Sequence, residues 1–228
     1  MEPRSGFRPE FLDFKRGIHV GNLEENQRIT RILKLALESR YGQPLVTERW
    51  GRGVYWRWIG LLARANREAK PISSNVSFGC AKYFISVDPE EQLFKCGMQV
   101  ERGYVKAPRG SHDWQLQLDW DWNRLLGALR RGSFLDQEIS RLLREGFQVY
   151  PDGWEGRSKK RDVTKLKQLL QAAPGNEWAW FQLFYPMTEK EVQAANGADL
   201  VDSMLAVFDE VTPVMNLCMQ VQLRAAAG

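Results

Sequence analysis

The stretch Leu45–Lys70, LVTERWGRGVYWRWIGLLARANREAK, constrains the fold more than any other part of the chain. Residues that favour extended backbone crowd both sides of Gly51-Arg52-Gly53, so Leu45–Trp50 and Val54–Leu62 read as two strands joined by a tight turn. Successive side chains of a strand point to opposite faces. Strict alternation therefore puts Val54, Trp56 and Trp58 on one face, assigned to the core, and Tyr55, Arg57, Ile59 and Leu61 on the other.

A second hairpin follows. Asn75–Val87 and Leu93–Val105 flank Asp88-Pro89-Glu90-Glu91-Gln92, with Phe94, Cys96, Met98, Val100 and Tyr104 facing one way and Lys95, Gln99 and Glu101 the other. This inside/outside alternation belongs to antiparallel sheets. A turn centred near Glu90 sets Cys80 opposite Val100 and Cys96 opposite Phe84, so no disulfide is expected between them. The run HDWQLQLDWDW alternates too and predicts a fifth strand, with Trp114, Leu116 and Leu118 against Asp113, Gln115 and Gln117. Phe147–Tyr150 reads as a short strand or extended link, and Glu177–Tyr185, the most apolar strand, belongs inside the sheet.

Helices are marked by caps and a period near 3.6 residues. Asn22 and Glu25 form a capping-box pattern ahead of Ile29, Ile32, Leu33, Ala36 and Leu37, with Gly42 and Pro44 as the stop. Phe7, Phe11, Phe14 and Ile18 anchor an irregular lead-in over residues 1–21, where Pro9–Lys15 suits a short helix. Asp119 or Asp121 caps a helix carrying Trp122, Leu125, Leu126 and Leu129, and Leu135–Glu145 forms the next. Asp162 caps Val163–Ala172, and Thr188 with Glu191 opens Glu189–Ala195. The last helical region starts at Asp199, breaks at Pro213 and restarts towards Val221, leaving residues 224–228 as a frayed tail. Strands first and helices later predict a single α+β domain over 1–228, a mainly antiparallel sheet of about five to seven strands with helices packed on it.

Charge is uneven. Residues 45–110 carry 11 Lys/Arg against 6 Asp/Glu, whereas residues 184–228 carry 2 against 6. A basic front half suits a nucleic acid or an acidic protein partner. The opening MEPRSGFRPEF lacks the apolar core of a signal peptide, and no apolar run approaches the ~20 residues that cross a bilayer. Three dispersed cysteines, Cys80, Cys96 and Cys218, then fit buried free thiols in a reduced cytoplasmic protein with no membrane partner.

No phosphate-loop, dinucleotide or nucleophile-elbow motif is present, and no cofactor is expected. The leading expectation is a soluble non-enzymatic binding or assembly protein. Its basic, aromatic surface comprises Arg49, Trp50, Arg52 and Arg57, together with the loop residues Arg157, Lys159, Lys160 and Arg161 ahead of a helix N-terminus. The alternative from another class is a metal-dependent phosphodiester enzyme using Asp113, Asp119 and Asp121 beside His112, since paired carboxylates hold Mg²⁺. A third is a subunit active only within a larger complex, suggested by nine tryptophans and by Met204, Met215 and Met219 on the last helix.

Overall fold

The computed structural model describes residues 6–70, 79–103, 120–151 and 162–225. Their architecture is α+β, an antiparallel eight-stranded sheet with helices packed on it. The strands are β1 (Leu12–Asp13), β2 (Gly17–His19), β3 (Leu45–Arg52), β4 (Tyr55–Ala63), β5 (Lys82–Asp88), β6 (Leu93–Arg102), β7 (Gln148–Tyr150) and β8 (Ala179–Thr188). The order across the sheet is β1-β2-β4-β5-β6-β8-β7, and β3 pairs with the other edge of β4. The helices are α1 (Ile29–Tyr41), α2 (Arg64–Glu68), α3 (Asp121–Ala128), α4 (Phe134–Arg144), α5 (Val163–Ala172), α6 (Glu189–Ala194) and α7 (Gly197–Cys218).

One face of the sheet carries the core. Ile59, Leu61 and Ala63 of β4, Tyr83, Ile85 and Val87 of β5, Phe94, Cys96, Met98 and Val100 of β6, and Phe181 and Leu183 of β8 are all buried in one cluster with the apolar stripes of the helices. The long helix α7 lies over β6 and β8. The Phe208 ring meets Tyr83 with centroids 4.7 Å apart, and the Cys96 thiol approaches the Met204 carbonyl at 3.7 Å. Pro213 does not break this helix, contrary to the sequence reading. A helical proline forfeits one backbone hydrogen bond, but Val211, Val214 and Met215 around it are buried, so tertiary packing holds the turn together. Thr212 Oγ1 donates to the Phe208 carbonyl at 2.6 Å. The Tyr41 and Tyr83 hydroxyls, 3.0 and 2.6 Å away, are thereby left to donate to Thr212.

Both hairpins form, the first turning at Gly53-Val54 because Gly51 and Arg52 pair within β3 instead of making the expected turn, and Val163–Ala172 with its Asp162 cap and the Thr188/Glu191 capping box stand as expected. Other local readings change. Pro9–Phe11 is a single 3-10 turn leading into β1, because Leu12 and Ile18 pair as a ribbon at the end of β4 instead of lying on a helix. Asn22 takes a left-handed conformation (φ 54°), spending its tolerance of positive φ on a turn, and α1 starts at Ile29 without a side-chain cap. The second hairpin is shifted by one residue: Cys96 faces Ile85, and Phe84 faces Gly97. Asp88 pairs with Leu93, leaving four residues in the turn, and that sets the register. The predicted fifth strand and the basic loop 157–161 lie outside the described residues, as do Asp113, Asp119 and residues 226–228 of the tail.

A β-bulge alters the Trp56/Trp58 reading. Trp50 pairs with Trp58 but Gly51 pairs with Trp56, so Arg57 is an additional residue with no partner on β3. The inserted residue ends the alternation. Trp56 packs against the core cluster, whereas Trp58 turns onto the opposite, open face of the sheet.

Candidate binding cleft on the open sheet face

The open face is built by the other parity of each strand. Register aligns Trp58, Ser86, Lys95 and Pro186 across four strands, and Lys82, Gln99, Gln182 and Tyr150 across another four. Glycines make the centre shallow. A Cβ on Gly60 would stand 2.3 Å from the Trp58 ring, so the indole lies flat over that glycine. Its Nε1–H donates to Gln99 Oε1 at 3.2 Å. Gln182 Nε2 donates to the same oxygen at 2.6 Å, and the Gln99 amide donates to Glu101. The polar floor is thus locked into one arrangement by its own hydrogen bonds.

Over this floor runs a cleft of about 870 Å³. Trp50 and Trp58 line one end, with Tyr150, Trp178 and Trp180 at the other. Between β4 and β8 lie three strand spacings, or roughly 14 Å. The far pair is pre-stacked, with Tyr150 and Trp180 centroids 5.7 Å apart and rings inclined by 16°. Trp50 is 64% exposed, Tyr150 43% and Trp180 39%, an arrangement that costs solvation unless something covers the rings. A smaller hollow of about 200 Å³ continues behind Trp178 and Trp180 towards Leu169 and Leu170 of α5.

Two lysines organise the electrostatics. Lys82 is fully buried on this face, with Nζ 2.7 Å from Glu48 and 2.9 Å from Glu101. Burial alone would push the ammonium down, but Glu101 and Glu48 outweigh it and hold Lys82 above its ordinary value. Lys95 repeats the pattern, 2.9 Å from Asp88 and 2.6 Å from Glu91. Here again burial is overcome by the Glu91 and Asp88 hydrogen bonds, which raise the ammonium.

The basic tip foreseen from the sequence is divided by the bulge. Arg49 stacks over Trp56 at 4.3 Å, and Arg52 projects from the turn. Arg57, by contrast, lines the cleft with Trp50. These residues share one hairpin end but not one face. The loop residues Arg157, Lys159, Lys160 and Arg161 fall outside the described residues.

Asp121 has a different setting from a metal ligand. It is buried at the first turn of α3, where Oδ1 accepts from Lys70 Nζ at 2.6 Å and Oδ2 from Asn66 Nδ2 at 2.7 Å and the Ala81 N–H at 2.6 Å. The Gln220 N–H adds a longer contact at 3.3 Å. Its lone pairs are taken by protein donors, tying α2, the start of β5 and the C-terminal segment to α3. Burial raises the Asp121 carboxyl above its usual range despite the opposing Lys70 charge. The three thiols are buried too, with Cys80 pushed up to about 12 by desolvation.

Sequence reasoning missed Trp178, Trp180, Tyr150, Gln99 and Gln182 as a group. The signal was present in part, since Trp180 and Gln182 share parity on β8, with Trp178 just ahead of it, as Gln99 and Glu101 do on β6. Only the β6–β8 pairing, which sets Trp180 beside Glu101, brings the two sets together. No protein-family model matches the chain, and no curated protein or solved structure matches it either.

Proposed function

We propose that the chain is a non-enzymatic binding protein whose ligand lies in the cleft across the open sheet face. The observation that carries this reading is the convergence of five aromatic side chains on one polar, hydrogen-bonded floor. Rigid aromatic anchors held ready by the fold lower the entropy cost of binding and are where interface energy concentrates. Among the described residues the thiols are buried with raised pKa, and His19 is packed between the Phe11 and Tyr55 rings, which accords with this reading. The occupant is an extended chain, since the two aromatic ends stand too far apart for a single ring.

The test is to follow the indole N–H resonances of the isotope-labelled protein while peptides and oligonucleotides are added. Shifts at Trp50, Trp58 and Trp180 are expected together. If no probe moves them while the protein stays folded, the reading fails.

A second reading is supported by Arg49, Arg52 and Arg57, which form no ion pairs among the described residues. A nucleic-acid strand could lay phosphates along this hairpin end and stack one base on Trp50, a contact worth about 1–3 kcal/mol. Such binding would weaken steeply with salt. It would respond to Arg52→Ala and ignore Trp180→Ala.

A further inference from the structure

We propose that the occupant of the cleft is a cationic peptide segment, with two Lys or Arg side chains about four residues apart in extended conformation. This rests on the cleft reading and names the chemistry that the site selects. The cleft lining carries four carboxylates, Asp88, Glu90, Glu91 and Glu101, against two cations, Arg57 and Lys95, and the buried Lys82 joins Glu101 to Glu48 beside it. Each lysine is shared by two carboxylates, so among the described residues each group of three carries one net negative charge.

The two groups are separated along the sheet. Lys82 faces Gln99 and Lys95 lies four residues earlier on β6, so their centres stand roughly 13 Å apart at 3.3 Å per residue. That is the distance between side chains four apart on an extended peptide, which emerge on the same side.

Aromatic rings also stand beside these charges. Trp58 already accepts the Lys82 ammonium 5.7 Å from its centroid, and the exposed Trp50 lines the same cleft as Asp88 and Glu90. Tyr150 and Trp180 flank Glu101. A guanidinium or ammonium entering beside a ring face and a carboxylate gains from both. A polyphosphate strand would meet the carboxylates instead, and like charges across an interface are penalised. Arg57 opposes a cation at the hairpin end. It is exposed on the bulge and free to swing out to solvent.

The experiment uses the full chain and three probes: decalysine, decaglutamate and an oligothymidine dodecamer, monitored by the indole resonances and by calorimetry. Decalysine is expected to shift the Trp50, Trp58 and Trp180 signals and to weaken with salt. The exposed double reversal Glu90→Lys/Glu91→Lys is expected to lose about tenfold in affinity, as is Trp180→Ala. Three results overturn the proposal. If oligothymidine or decaglutamate shifts these signals and decalysine does not, the cleft reading stands and the cationic ligand falls. Equal decalysine binding by the wild type and both variants means diffuse attraction with no site. Silence from all three probes removes both readings.

Discussion

Lys70 and Lys82 are both buried lysines, but they sit on opposite sides of the question of function. The Lys70 ammonium meets one carboxylate, Asp121, and the Asn66 amide oxygen. Every partner in that cluster is satisfied by α2, α3, the start of β5 or the C-terminal segment. Lys82 lies under the cleft between two carboxylates that are themselves about one-fifth exposed. The first arrangement is closed and joins parts of the chain. In the second the two carboxylates are partly exposed and, among the described residues, outnumber the lysine by one charge. A buried polar cluster with no remaining valence serves the fold, whereas one with an unbalanced charge at a cleft is a place where a partner can contribute.

The largest expected effect tests the closed side. Asp121→Ala strands the Lys70 ammonium and several donors, and should cost about 3–5 kcal/mol of unfolding free energy, measured by denaturant titration. Since small domains hold only about 5–15 kcal/mol, that variant is close to unfolding. A loss below about 1 kcal/mol would mean that the cluster does not hold these segments together.

The next sharpens the difference between the lysines. Lys82→Met leaves Glu48 and Glu101 to repel each other, and a loss of a few kcal/mol is expected. Adding Glu48→Gln and Glu101→Gln should recover most of it, because the three charges would be removed together. Recovery in stability without recovery of ligand binding would separate the structural from the recognition role. Failure of the triple variant to recover would place Lys82 with Lys70 as a fold-holding residue.

Gly60→Ala is expected to have a moderate effect, about 1–3 kcal/mol, since the added methyl meets the Trp58 ring and must displace it. Tryptophan fluorescence reads the displaced indole directly. An unchanged spectrum would contradict the flat packing of Trp58 on the sheet.

The smallest effect is acid sensitivity at the surface. Burial opposes ionisation of Asp88, but Lys95 and the Glu91 and Glu90 backbone N–H groups outweigh it and hold the carboxyl low. The Thr164 backbone and side chain hold Asp162 low, and the Thr188 side chain and backbone do the same for Glu191. A depressed carboxylate contributes stability above its unfolded pKa, near 4, and loses it as pH falls through the folded value. The melting temperature should therefore be insensitive to these groups at neutral pH and fall below about pH 4. Asp88→Asn should flatten part of that fall, and an unaltered acid limb would remove Asp88 from the account.

The strands β3 to β6, the hairpin turns and α5 were legible because period-two and capping signals are local. Asp162 and Thr188 announced their helices through side chains that need only neighbours two or three residues away. The cleft was not legible in the same way. Its members come from β3, β4, β5, β6, β7 and β8, and only the pairing of β6 with β8 makes Glu101 and Trp180 neighbours. Asp121 illustrates the same limit, since a carboxylate at a helix start reads as a cap until Lys70 and the C-terminal segment arrive from far along the chain.

What the sequence determined by itself was an antiparallel, helix-covered α+β fold, because burying one face of each strand leaves a periodic trace in the order of residues. What only the tertiary structure decided was which tryptophans belong to the core. One bulged residue, Arg57, turns Trp56 inward and Trp58 outward. A bulge depends on how two strands share their hydrogen bonds, a relation between distant backbones that alternation along one strand does not record.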